Sequence, residues 1–209
     1  MRPPTFLVSL VLVAASFLAA GPRLAAQELE GVVTVKDVDF NNDVRPFDWN
    51  NMVITLVADE NPLPEALNPD FVDNIGVKVT IAYKNEITGD GFHVFQAECE
   101  IIALERGQDK DIAFWLPEIV VDQLDLPNEP EYWLIELTVD GSPIQLADAH
   151  VSRTLGSRKL VDSFKTNVVA KAKGTEGVFM PTYLSPYPES VVDDEPAAFR
   201  RFEAKESGR

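Results

Sequence analysis

Four apolar residues, Val77, Val79, Ile81 and Tyr83, alternate without interruption with Lys78, Thr80, Ala82 and Lys84. A two-residue period of this kind fits a strand with one buried face and conflicts with the 3.6-residue period of a helix. Trp133, Ile135, Leu137 and Val139 repeat the pattern against Tyr132, Leu134, Glu136 and Thr138. Gly31 to Val38, Asn51 to Ala58, Phe92 to Leu104, Ile112 to Leu116 and Pro143 to Leu146 bring the predicted strands to seven.

Turn chemistry orders these strands. Asp140-Gly141 supplies the positive φ angles of a tight hairpin, so the strands on either side of it should pair directly. Thr88-Gly89-Asp90-Gly91 separates another pair by a longer loop. Asn61-Pro62-Leu63-Pro64 and Leu126-Pro127-Asn128-Glu129-Pro130 cannot lie in a central strand and so mark crossovers. Seven short strands without long helices between them predict a mainly β fold, an immunoglobulin-like β-sandwich over residues 27–150, with Trp115 or Trp133 as its core aromatic.

A sandwich usually bridged by two cysteines must here be held by packing, because Cys99 stands alone. Its neighbours Phe95, Ala97 and Ile101 share its phase, so the thiol is expected on a buried face and inert. Apolar residues make up 45% of the chain, enough for such a core.

Residues 1–26 read as a secretory signal peptide. Arg2 precedes an apolar run from Phe6 to Ala20, and the small pair Ala25-Ala26 follows before Gln27. The run is short for a membrane span, and no later stretch is apolar enough to supply one, so the mature chain is expected to be exported, to the periplasm or the cell surface. Loss of Arg2 and Arg23 with the leader takes the formal charge from −16 to −18. A body this acidic repels phosphate backbones, which argues against nucleic acid as a partner.

After His150 the period changes. Leu160, Val161, Phe164, Val168 and Val169 recur at helical spacing, predicting a basic amphipathic helix within residues 151–174, capped by Ser157 and closed by Gly174. Its apolar stripe would pack on the sandwich, or its Lys159, Lys165, Lys171 and Lys173 would dock an acidic partner. The remaining residues, 175–209, read as a largely flexible tail rich in Pro and Tyr. A short helix from Ala197 to Glu206 would carry Phe199 and Phe202 on one face as a further attachment surface.

The constellations of catalysis are thin. Only His93 and His150 are present, no Gly-x-Ser-x-Gly elbow surrounds a serine, and no glycine-rich phosphate loop exists. No cofactor is expected. Asp37, Asp39, Asn41 and Asp43, with Asp48 at the twelfth position, space oxygen ligands as a calcium loop does. Asn42 stands where such loops need Gly, and the alternative is an acidic strand end entering a polar loop. Phe47-Asp48-Trp49 and Tyr183/Tyr187 are candidates for stacking on sugar, and paired carboxylates could serve an acid/base glycoside hydrolase.

The stretches Trp49-Asn50-Asn51-Met52, Phe114-Trp115-Leu116-Pro117 and Tyr132-Trp133-Leu134-Ile135-Glu136-Leu137, with the run from Arg158 to Tyr187, give the chain a resemblance. It is similar to small secreted immunoglobulin-like proteins encoded beside type IV pilus-like genes in verrucomicrobial bacteria. The resemblance implies a non-catalytic role with envelope or pilus-associated protein partners and carries over no functional residues. The N-terminus departs from a true pilin, lacking its hydrophobic helix and processing site. The sequence reading is therefore a non-enzymatic, exported interaction protein, with carbohydrate binding as the alternative and a glycoside hydrolase third.

Overall fold

The computed structural model describes residues 29–44, 49–59, 61, 66, 68–85, 87, 91–171, 175, 177–185 and 197–200. The expected leader, Phe47, Asp48, Lys173, Tyr187 and Phe202 lie outside the described residues, as do the side chains of Asp43 and Lys171.

Seven strands form where alternation predicts them: β1 (Val33–Val44), β2 (Trp49–Ala58), β3 (Phe71–Lys84), β4 (Phe92–Glu105), β5 (Asp109–Leu116), β6 (Tyr132–Val139) and β7 (Ser142–Pro143). They make two antiparallel sheets, with neighbours β1-β2-β5 in one and β7-β6-β3-β4 in the other. First, second and fifth strands facing third, sixth and seventh is the arrangement of an immunoglobulin-like sandwich, with β4 added beside β3. The Asp140-Gly141 hairpin forms as its sequence requires, with φ of 48° and 75° and Val139 opposite Ser142.

The inward residues pack as expected. Val77, Val79, Ile81 and Tyr83 of β3 meet Ile54 and Leu56 of β2 and Ile112 and Phe114 of β5 in one buried cluster that also holds Cys99. Burial, with the Glu98 charge adding to it, pushes the Cys99 thiol up to about 12, so it stays protonated. Neither candidate core tryptophan sits at the centre of this layer. Tyr83, Phe95 and Phe114 do, each no more than 1% exposed.

A short helix, α1 (Glu118–Leu124), crosses between the sheets from β5 toward β6. Its Val120, Val121 and Leu124 lean on the core. At that end Asn50 donates to the Pro127 carbonyl at 3.2 Å and hydrogen-bonds Tyr83 of the facing sheet.

The predicted basic helix exists but is shorter. Helix α2 spans Arg158–Asn167, starting at Ser157, whose hydroxyl accepts from the Leu160 N–H at 3.4 Å. It stops well before Gly174 because Thr166, Asn167 and the β-branched pair Val168-Val169 are poor helix formers in succession. Residues Val169–Lys171 tighten into a 3-10 turn. Val161 and Phe164 are buried against Ala82, Val94 and Leu134, on the outer face of the second sheet. The packing alternative for this helix is the one observed.

The tail is where the structure departs most from expectation. Instead of a flexible segment, its described residues complete both sheets. Met180–Pro181 forms β8 beside β5, and Phe199–Arg200 forms β9 beside β4. Phe179 inserts into the core, its ring 5.5 Å from Phe114. The predicted helix from Ala197 is therefore replaced at Phe199–Arg200 by strand, where Arg200 pairs with Glu100 at 2.7 Å and the Phe199 ring packs tilted against Tyr183. Isolated apolar residues among prolines carry no period, so this docking leaves no trace in local patterning.

Candidate functional site

The two lateral sides of the sandwich are finished differently. On one, β8 and β9 cover the edges of β5 and β4. Thr182 donates to the Ala113 carbonyl at 2.9 Å and accepts from Trp115 Nε1 at 3.2 Å, sealing a tryptophan that faces outward from β5 yet is 0% exposed.

The other side is formed by β1 and β7. Leu29 lies there beside the second sheet, its N–H donating to the Pro143 carbonyl and its carbonyl accepting from the Gln145 N–H. The chain swings across at Gly31, whose φ of +67° suits a residue without a side chain, and joins β2 in the first sheet from Val33. A bulge between Val35 and Asp37 then shifts the phase, so inward residues run Val33, Val35, then Val38 and Phe40.

Past the bulge no described residue pairs with the outer edge of β1. The Val38 N–H turns away from β2 and is taken at 2.9 Å by the Asp37 carboxylate of its own chain. Alternation gives Phe40 the same outward backbone. Beside this edge runs a groove of about 540 Å³ between β1, the segment 129–131 that leads into β6, and residues 148–154. Its apolar floor is Phe40 from one sheet and Trp133 from the other, ring centroids 6.5 Å apart. Asp37, Glu129, Glu131 and Asp148 line it against Lys36 and Arg153, and Lys36 is itself paired with Asp109.

The groove exists because β7 is short. After Pro143 and Ile144 the chain leaves β6, makes a 3-10 turn at Asp148–His150, and returns at Val151, with the Ser152 N–H donating to the Trp133 carbonyl. His150 is buried beneath that turn. Its Nδ1 accepts from the Ala147 N–H at 3.4 Å, its Nε2 has no partner among the described residues, and burial lowers its pKa.

Of the residues singled out from sequence, Asp37 lines the groove and Trp133 floors it, while the other described ones fall elsewhere. Asp37, Asp39 and Asn41 lie along extended β1, where alternate side chains are about 6.8 Å apart, too far to close on one calcium ion as a loop does. Among the described residues no acids gather into a metal-holding group, and the Asp43 side chain and Asp48 lie outside them. Lys159 is exposed on α2, whereas Lys165 is tied to Glu136 at 2.5 Å and Phe199 is packed on Tyr183. Trp49 packs beside Ala113 and Trp115, so neither it nor Tyr183 offers a free stacking face. Phe40, Trp133, Glu129 and Glu131 were not singled out for this role. The shift from odd to even apolar positions between Val35 and Val38 is the signal that marks the bulge beside them.

The chain matches no family model and no curated protein. It is similar in fold to a crystal structure of a protein from Akkermansia muciniphila, with a TM-score of 0.63 and 13% identity. The match covers 82% of this chain and 94% of the other. That likeness shows the β-sandwich.

Proposed function

We propose that this protein is an exported, non-catalytic interaction protein of a bacterial cell envelope, which binds a protein partner through the open side of its sandwich. The observation that carries the reading is the contrast between the two sides. The chain spends its C-terminal segment covering the β4 and β5 edges, while the β1 edge faces a groove floored by aromatics from both sheets. Uncovered edges beside apolar surface pair readily with other chains.

The leader-like residues 1–26 support export, and among the described residues no helix is long and apolar enough to cross a membrane. The resemblance to proteins encoded with pilus-like genes supports an envelope assembly as the setting.

Affinity capture from the native envelope fraction tests the reading, comparing the mature chain with a Glu129→Lys/Glu131→Lys variant and with Lys159→Glu on the outer face of α2. A fixed set of envelope proteins should be retained by the parent and by Lys159→Glu and lost with the groove variant. Loss with Lys159→Glu alone would move the contact to the helix and overturn the assignment.

A further inference from the structure

We infer that the groove takes an extended, basic segment of the partner as an added β-strand along β1, an inference that rests on the open-side reading above. Val38 and Phe40 turn their backbone N–H and C=O away from β2, at the spacing that a paired strand meets on alternate residues. The Val38 N–H is held by the Asp37 carboxylate, a local substitute that a strand carbonyl can displace. The floor supplies side-chain recognition. Phe40 and Trp133 are only partly buried although both point between the sheets, so the core is incomplete at this place. An apolar side chain of an added strand would reach both rings and complete it.

Charge sets the sign of the partner. Glu129, Glu131 and Asp148 face the groove, and the whole chain carries −16, so an acidic strand is repelled and a Lys- or Arg-bearing one is attracted. Displaced from Val38, the Asp37 carboxylate becomes a further partner for a cation. The recognised pattern is basic and apolar residues in alternation, without proline at the pairing positions.

The test uses the mature full chain and a blocked synthetic peptide, Thr-Lys-Val-Lys-Phe-Arg-Val-Thr, with a control carrying Glu at each basic position. Binding is followed by titration, and backbone pairing by amide hydrogen exchange. The basic peptide should bind at least about tenfold more tightly than the acidic one at low salt, weaken as salt rises, and slow exchange at Val38 and Phe40. Glu129→Lys/Glu131→Lys, at two exposed positions, should reduce that affinity by a similar factor while leaving the thermal transition in place. Binding without slowed exchange at Val38 and Phe40, equal binding of the acidic peptide, or binding of a neutral polysaccharide at these residues would overturn the strand. If the peptide fails while envelope capture still depends on the groove, the strand chemistry falls and the open-side reading stands. Failure of both removes both.

Discussion

Among the described residues Asn51 has the least satisfied environment. It stands on β2 between Asn41 of β1 and Trp115 of β5, is 2% exposed, and finds no partner among the described residues for either its amide nitrogen or its oxygen. A buried amide left unpaired costs roughly 1–3 kcal/mol. Asn51→Leu, close in size, should raise the unfolding free energy from denaturant titration by a comparable amount, and a decrease would show that the amide is satisfied. Thr182 presents the opposite case, since it bonds both Ala113 and Trp115. Thr182→Val should cost about 1–3 kcal/mol in chemical denaturation.

His150 sets a pH dependence at the same scale. Burial lowers its pKa below the ordinary 6.5, so the unfolded chain takes up a proton first as pH falls. Its contribution to stability is complete above pH 6.5 and declines as pH drops through that value toward the folded pKa, by at most about 1.4 kcal/mol per pH unit. Denaturation of His150→Gln across this range should show a shallower pH slope than the parent.

Helix α2 and the two C-terminal strands decide how the elements hold together. Phe164 is 4% exposed and lies 5.6 Å from the Tyr132 ring, so Phe164→Ala should cost about 3–5 kcal/mol. Lys165 and Glu136 are each more than a third exposed, and breaking their ion pair with Lys165→Gln should cost no more than about 1 kcal/mol. Comparing the two midpoints separates a helix held by its apolar stripe from one held by charge. The stripe was legible in the sequence because Val161 and Phe164 keep helical spacing, as were the seven strands, whose alternation is local. β8 and β9 were not legible. Each is two residues long, and what fixes them is a distant partner: Trp115 needing cover, Glu100 needing a cation and a core position filled by Phe179. The groove was hidden for the same reason, since Phe40 and Trp133 meet only when the two sheets face each other.

At the scale of the whole molecule the chain is asymmetric by construction. One side of the sandwich is closed by the C-terminal segment, and a chain ending at Lys173 would lose Phe179, β8 and β9 together, uncovering Trp115 and two strand edges. Such a chain should be less stable and self-associate in sedimentation, as uncovered apolar edges do. On the opposite side, among the described residues, the edge past the β1 bulge stays unpaired, with a groove whose acids match the acidity of the whole chain. That asymmetry is the basis for assigning the partner to β1 and not to the basic helix.

The most direct measurement replaces Phe40 with a photoreactive benzoyl-phenylalanine in the protein made by its native cells and irradiates them intact, with the same group at exposed Ile119 of α1 as the control. A discrete adduct from position 40, absent from position 119 and lost when Glu129 and Glu131 are changed to Lys, is the result the account predicts. The same adducts from both positions, or adducts from 119 alone, would contradict it.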